Sequence, residues 1–267
     1  MRGVIKTMKH IINFSGGIGS WAAAKRVVAK HGTTDVVLLF ADTLMEDEDT
    51  YRFLRQAAEN VGVPLTRIAD GRNPWEVFFA ERFLGNSKVD PCSKILKRHQ
   101  LDKWRAENAN PEMSIVYLGI DWSEIHRLHR VQGYPSDWKF EAPMCEPPFL
   151  DKEQMIRWAE SEGLKRQRLY DLGFPHANCG GFCIKAGQAH FLNLLQKMPE
   201  RFQYHEEMEQ KLRRYLDKDV GILRDRRGGK DLPLTLKQLR EREQAKDATL
   251  DRDEWGGCGC ALPEMSQ

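Results

Sequence analysis

The chain has no apolar run long enough to cross a bilayer, no C-x2-C pair, no internal repeat and no low-complexity tract. Its charges also nearly cancel. A membrane-spanning helix needs about 20 consecutive apolar residues, and the stretch from Met1 to Lys9 lacks the apolar core of a secretory signal, so a cytoplasmic protein without a membrane partner is expected. Lys and Arg (41) almost balance Asp and Glu (39), which removes the general argument for binding nucleic acid or an acidic surface; any basic site must be local. Without C-x2-C spacing the strong sequence signal for zinc or iron-sulfur is missing. Six cysteines in a reducing compartment read as metal ligands, redox groups or core residues and not as a disulfide framework.

With 267 residues at 41% apolar content, the chain can bury a sizeable core. A change of composition near Asp217 divides it into an α/β domain over residues 1–216 and a C-terminal extension over 217–267, helical at Thr235 to Gln244. The earliest informative stretch is Ile11 to Ser20, where an apolar strand runs into Ser15-Gly16-Gly17-Ile18-Gly19-Ser20 and then into an amphipathic helix from Trp21 to Lys30. Glycines at a strand-to-helix junction suit phosphate. They permit close backbone approach, and the helix's first N–H groups face the loop with the positive end of its dipole behind them. Ser15 and Ser20 add hydroxyls. No Gly-Lys-Ser/Thr closes the loop, so it is not a Walker loop.

Val36 to Ala41 is a continuous apolar run, as in a strand buried on both faces of a parallel sheet, and it ends on Asp42 and Thr43. Leu65 to Ile68 and Ser114 to Gly119 read as further strands, separated by helices from Glu46 to Asn60 and Pro74 to Phe83 and one starting near Asp90. In such sheets ligands bind beyond the carboxyl ends of the strands. Asp42, Thr43, Gly119, Glu124 and Arg127 are therefore candidates for one edge. Cys92 stands at a predicted helix start beside Lys94 and Lys97, which suits either a lowered thiol pKa with anion binding or an ordinary cationic helix face. Val131 to Pro148 reads as a long proline-rich loop. Cys179 and Cys183 lie four apart across two glycines and, with Cys92, could supply three ligands to a metal or form a turn without chemistry. Cys258 and Cys260 sit among glycines in the last stretch, where they could carry a thiolate to a substrate or add a ligand.

In this order the pieces resemble the adenine nucleotide alpha hydrolase superfamily, and within it the phosphoadenosine phosphosulfate (PAPS) reductase-like family. Ser15 to Ser20 is similar to the PP-loop SGGxDS, with Gly19 in place of its aspartate; Asp42-Thr43 is similar to the family's Asp-Thr strand end. Gly119, Glu124 and Arg127 resemble G-x-R-x-x-E-x-x-R, with Asp121 and Trp122 in place of arginine positions, and Leu169 to Cys183 resembles LYxxGxxxxxC. The match spans roughly residues 10 to 205.

The resemblance implies a Rossmann-like (HUP-type), mostly parallel sheet with helices on both faces. It implies an adenine nucleotide, PAPS or ATP, held by Ser15, Gly16, Gly17, Gly19, Ser20, Asp42, Thr43, Lys94, Lys97, Gly119, Glu124 and Arg127. Cys258 or Cys260 becomes the thiol that attacks the nucleotide's sulfur, with a thioredoxin-like reductant as partner. Two alternatives remain open. One is ATP-dependent sulfur insertion into a nucleobase, with an iron-sulfur cluster (zinc less favoured) on Cys92, Cys179 and Cys183 and a nucleic acid as partner. The other is a nucleotide-binding accessory module without catalysis, of the kind found in mobile or CRISPR-linked loci.

Overall fold

The computed structural model of the chain describes residues 7–86 and 88–257. Among these, strands β1 (Lys9–Asn13), β2 (Val36–Asp42), β3 (Leu65–Ala69), β4 (Ser114–Tyr117) and β5 (Lys139–Glu141) form a wholly parallel sheet in the order β3-β2-β1-β4-β5. Helix α1 (Ile18–His31) joins β1 to β2, and α2 (Glu48–Val61) joins β2 to β3. Parallel neighbours need such crossovers, which cover the sheet and explain the unbroken apolar runs of its central strands. The fold is α/β and Rossmann-like.

Beyond β3 come α3 (Pro74–Ala80), then α4 (Pro91–Ser93), a π turn at Lys94–Arg98 and α5 (His99–Asn108), run together as one helical rod. Helix α6 (Ile125–Gln132) follows β4 and α7 (Lys152–Ser161) follows β5; α8 (Arg168–Asp171), α9 (Gln188–Lys197) and α10 (Pro199–Leu216) complete the domain. The antiparallel pair β6 (Leu223–Asp225) and β7 (Leu232–Leu234) leads to α11 (Leu236–Gln244).

One core cluster packs Ile12, Leu38 and Phe40 of the sheet against Trp21, Phe53 and Ile156 of α1, α2 and α7. A second joins Trp75, Phe182, Phe191 and Phe202 to Ile222, Leu234, Leu236 and Leu239, so residues 217–250 share a core with the helices before them. A buried carboxylate fastens the two: Glu209 of α10 accepts from the backbone N–H of Ile222 (2.9 Å) and of Leu236 (2.7 Å).

One local reading of the sequence changes. The proline-rich Val131 to Pro148 segment contains β5, a polar edge strand whose pairing with β4 makes it a strand. Just before α9, Ala186 forms an antiparallel bridge with Gly256 near the end of the described residues.

Candidate nucleotide cleft

The strand order reverses between β1 and β4: β1 connects towards β2 on one side and has β4 on the other. That is the switch point at which open α/β sheets leave a crevice. A cleft of about 570 Å³ lies there, lined by Ser15, Gly17, Gly19 and Ser20 after β1, by Leu39–Ala41 of β2, and by Gly119, Glu124 and Arg127 after β4. Gly17 is the N-cap of α1. The N–H of Gly19 in the first turn has no carbonyl one turn earlier in the helix to bond and is left to face a ligand, whereas the Ile18 N–H donates to the Tyr170 hydroxyl. Ser20 points elsewhere: its hydroxyl donates to the Gly17 carbonyl at 2.7 Å and the residue is buried.

Gly19 has a steric cause. A Cβ there would lie 2.6 Å from the carbonyl oxygen of Gly119, and a Cβ on Gly119 would lie 2.5 Å from the Ser20 nitrogen. The two backbones touch because neither residue has a side chain. The place where the PP-loop carries aspartate is thus occupied by the loop after β4.

Not every expected residue reaches the cleft. Asp42 is fully buried; its carboxylate accepts from Arg67 on β3 (2.7 Å), the Tyr51 hydroxyl (2.8 Å) and the Leu44 N–H (2.8 Å). Its hydrogen-bonding capacity is spent inside the fold, which leaves it no role at the cleft wall. Thr43 borders a separate small void. Gly16 lies behind the lining, its carbonyl accepting from the buried Gln167 amide. Lys97 lines the cleft, whereas Lys94 lines another surface depression with Asp70, Arg72 and His99. Residues three apart stack on one face of an α-helix, but the wider π turn separates them.

The sequence reading passed over several residues that build the site. Glu46, counted as a helix-opening acid, is buried before α2. It accepts from the Cys179 N–H (2.5 Å) and the Thr43 hydroxyl (3.2 Å), and its carboxylate is 3.8 Å from the Lys97 ammonium. Burial pushes its pKa up, opposed by Lys97 and these hydrogen bonds. Next to it, Asp47 pairs with Arg168 (2.8 Å) and Arg201 (3.2 Å). The acidic turn thereby fixes the Cys179 segment, where Cys179 itself takes φ +54°.

His176 and Lys152 also line the cleft. Burial holds the His176 pKa down at about 3, helped by the positive charges of Lys97, Lys152 and Arg127. The imidazole is therefore neutral at pH 7 within a cationic surround. Lys152 donates to the Pro175 carbonyl (2.8 Å), and Arg127 pairs with Glu124 (2.5 Å). A single basic side chain on an exposed helix start, like Lys152, carries no sequence signal.

Cys92, Cys179 and Cys183 do share a place: all three line the small void beside Thr43, with the Lys97 ammonium 3.9 Å from the Cys179 sulfur. The void is about 20 Å³, room for one water-sized body. Among the described residues no three Cys, His, Asp or Glu side chains converge as metal ligands would. Cys258 and Cys260 lie outside the described residues. The chain leading to them is held in position, because Gly187 donates to the Trp255 carbonyl (3.0 Å), Ala189 to the Glu254 carbonyl (3.0 Å), and Arg226 pairs with Glu254 (2.6 Å). A Cβ on Gly187 would lie 2.1 Å from the Glu254 carbonyl oxygen. Gly256 and Gly257 thereby line the same cleft as the glycine loop.

No family model matches the chain. An uncharacterized protein of Methanocaldococcus jannaschii is 24% identical over 250 residues, 88% of this chain and 56% of that protein, so the chain spans about half the length of the curated relative it matches. Among solved structures, the chain is similar to a phosphoadenylyl-sulfate reductase of Candida auris in its phosphate complex, at 18% identity and a TM-score of 0.43, over 65% of this chain and 82% of that one. It is also similar to the U34-tRNA thiolase NcsA of Methanococcus maripaludis with its 4Fe-4S cluster, at 14% identity and a TM-score of 0.35, over 82% and 76%. These are likenesses of fold.

Proposed function

We propose that the chain is a PAPS reductase-like enzyme of the PP-loop type, which holds the phosphate or sulfate chain of an adenine nucleotide on Ser15–Ser20 and performs thiol-dependent sulfur chemistry there. The observation that supports this most is that Gly256 and Gly257 line the same cleft as the glycine loop, with Cys258 next in sequence. A thiolate of Cys258 or Cys260 attacks the sulfur of the nucleotide's sulfate. The bond from sulfur to the bridging oxygen breaks, its electron pair leaves on the nucleotide phosphate, and a cysteine S-sulfonate remains. A second thiol, from the other cysteine or a thioredoxin-like partner, attacks the cysteine sulfur; sulfite leaves, a disulfide forms, and an external dithiol reduces it. Lys97, Arg127 and Lys152 face the anionic groups as preorganised cations, and neutral His176 offers a hydrogen bond without adding charge. With Asp42 turned away, Leu39–Ala41 is the part of β2 that borders the nucleoside.

The closed contact of Gly19 with Gly119 favours this chemistry over ATP cleavage, since no carboxylate can stand on the loop at that point. The sulfur-insertion reading has one observation in its favour, the three thiols around one void. As arranged, a void of about 20 Å³ does not fit a cluster. Calorimetric titration with PAPS, ATP and adenosine 3′,5′-bisphosphate, followed by a sulfite-release assay with dithiothreitol, tests the proposal. Nucleotide binding with sulfite release that disappears in the Cys258→Ala/Cys260→Ala double variant is expected. Binding without sulfite would reduce the protein to an accessory module, and no binding would end the nucleotide reading altogether.

A further inference from the structure

One polar atom of the cleft has no role in holding the fold together. The Oδ1 of Asn13 is buried and accepts no hydrogen bond from the described residues, and Asn13 belongs to the cleft lining. Buried amide oxygens in folded chains nearly always have a donor, so one without a partner beside a cleft needs an explanation.

The strand places this amide. Asn13 is the last residue of β1, and side chains alternate between the two faces of a strand. Its neighbours Ile12 and Phe14 both enter the core built with α1, α2 and α7. Asn13 therefore turns to the other face of the sheet. Its partner in register on β2 is Leu39; Leu38 and Phe40 enter the same core as Ile12, so Leu39 and Ala41 share the face of Asn13. Helix α5 packs against β2 and β3 and contributes no residue to that core. Its Leu101 lines the cleft together with Asn13, Leu39 and Ala41. The amide thus stands in a slot whose other walls are apolar.

The chemistry of the amide indicates what fills the slot. A carbonyl oxygen repels phosphate and sulfate oxygens, so Oδ1 does not serve the anionic end of a nucleotide. It requires an N–H donor, and Nδ2 beside it offers a donor in return. A planar ring carrying an amine next to a ring nitrogen matches both atoms at once: adenine presents N6–H and N7 in this order, whereas guanine presents two acceptors, O6 and N7, on the same edge. Leu39, Ala41 and Leu101 supply apolar surface for the ring.

We propose that Asn13 reads the base of the nucleotide, its side-chain amide pairing with N6 and N7 of adenine and setting a preference for adenine over guanine. This assignment rests on the nucleotide reading above and adds to it the residue that selects the base. The test is calorimetric titration of the full chain with ATP, with purine riboside triphosphate, which is ATP without its 6-amino group, and with GTP. Wild type is expected to bind ATP about 5- to 150-fold more tightly than either, the equivalent of about 1–3 kcal/mol for a bidentate amide–adenine pair. In Asn13→Leu, ATP should weaken by a similar factor and the three affinities should converge. Because the amide oxygen has no partner in the fold, Asn13→Leu should melt no lower than wild type; a clear loss of Tm would assign the amide a structural bond and overturn the proposal. Wild type that binds ATP and purine riboside triphosphate equally would overturn it while leaving the nucleotide reading in place, and that comparison needs no variant to fold. A preference for ATP that persists undiminished in Asn13→Leu would overturn it too. If none of the three nucleotides binds, the nucleotide reading fails and this assignment fails with it.

Discussion

Restoring a side chain at Gly19 tests the central geometry of the cleft. The Cβ of a Gly19→Ala variant would start 2.6 Å from the Gly119 carbonyl oxygen, against a comfortable separation of about 3.5 Å, so one backbone must retreat by nearly 1 Å. Neither contact atom is the end of a flexible side chain, and relief requires moving the start of α1 or the turn after β4. Overpacking of this kind costs about 1–3 kcal/mol, which for a chain of this size is roughly 2–12 °C in Tm at about 2–4 °C per kcal/mol. Gly119→Ala should match it, because its Cβ meets the same strip of backbone from the other side at 2.5 Å. Gly17→Ala is the control: its φ is −79° and its nearest neighbour is the Ser15 hydroxyl at 3.6 Å, so only a cap effect of up to about 1 kcal/mol applies. Gly19→Asp should be the least stable of the set and should not acquire magnesium-dependent ATP cleavage. Scanning calorimetry gives the stabilities and titration with ATP gives the binding. If Gly19→Ala melts within 1 °C of wild type and binds ATP equally, the steric account of the missing aspartate is wrong.

Two further outcomes follow from the fastening of the C-terminal segment. Burial raises the Glu209 pKa from 4.5 to about 7, against the two backbone N–H bonds that favour its charged form. The folded chain thus holds the proton longer than the unfolded one, and this residue's contribution to stability is complete below pH 4.5 and is lost as pH rises to about 7, by up to about 3 kcal/mol at 1.36 kcal/mol per pH unit. Urea unfolding of wild type and Glu209→Gln between pH 4.5 and 8 should show the variant losing less stability across that window; parallel curves would contradict it. Gly187→Ala places a Cβ against the Glu254 carbonyl and should displace the segment that ends at Gly257. Sulfite release should then fall at least tenfold while ATP affinity changes less than threefold, and an equal loss of both would mean that the segment contributes to nucleotide binding and does not only deliver a thiol.

The strands β1, β2 and β4 were legible because a parallel strand covered on both faces must be apolar throughout, and the glycine loop because a strand-to-helix turn with close backbone contacts needs residues without side chains. These are local requirements, written within about ten residues of one another. Edge strand β5 was not legible, since Lys139–Glu141 is too short and polar to show a period and is a strand only by its register with β4. Asp42 was correctly placed at a strand end, yet Arg67, 25 residues later on the neighbouring strand, decides that its carboxylate turns inward. Lys94 and Lys97 differ in sequence by three positions, and a π turn sends them to different surfaces. The sequence alone established the α/β class, the glycine loop between β1 and α1 and the inventory of thiols. Only the tertiary structure decided that Gly19 abuts Gly119, that Gly187 receives the backbone of Glu254 and Trp255 and that Glu46 braces Cys179. Each of these joins residues about 70 to 130 positions apart through backbone contact or a buried hydrogen bond, and such pairings leave no periodicity in the sequence to read.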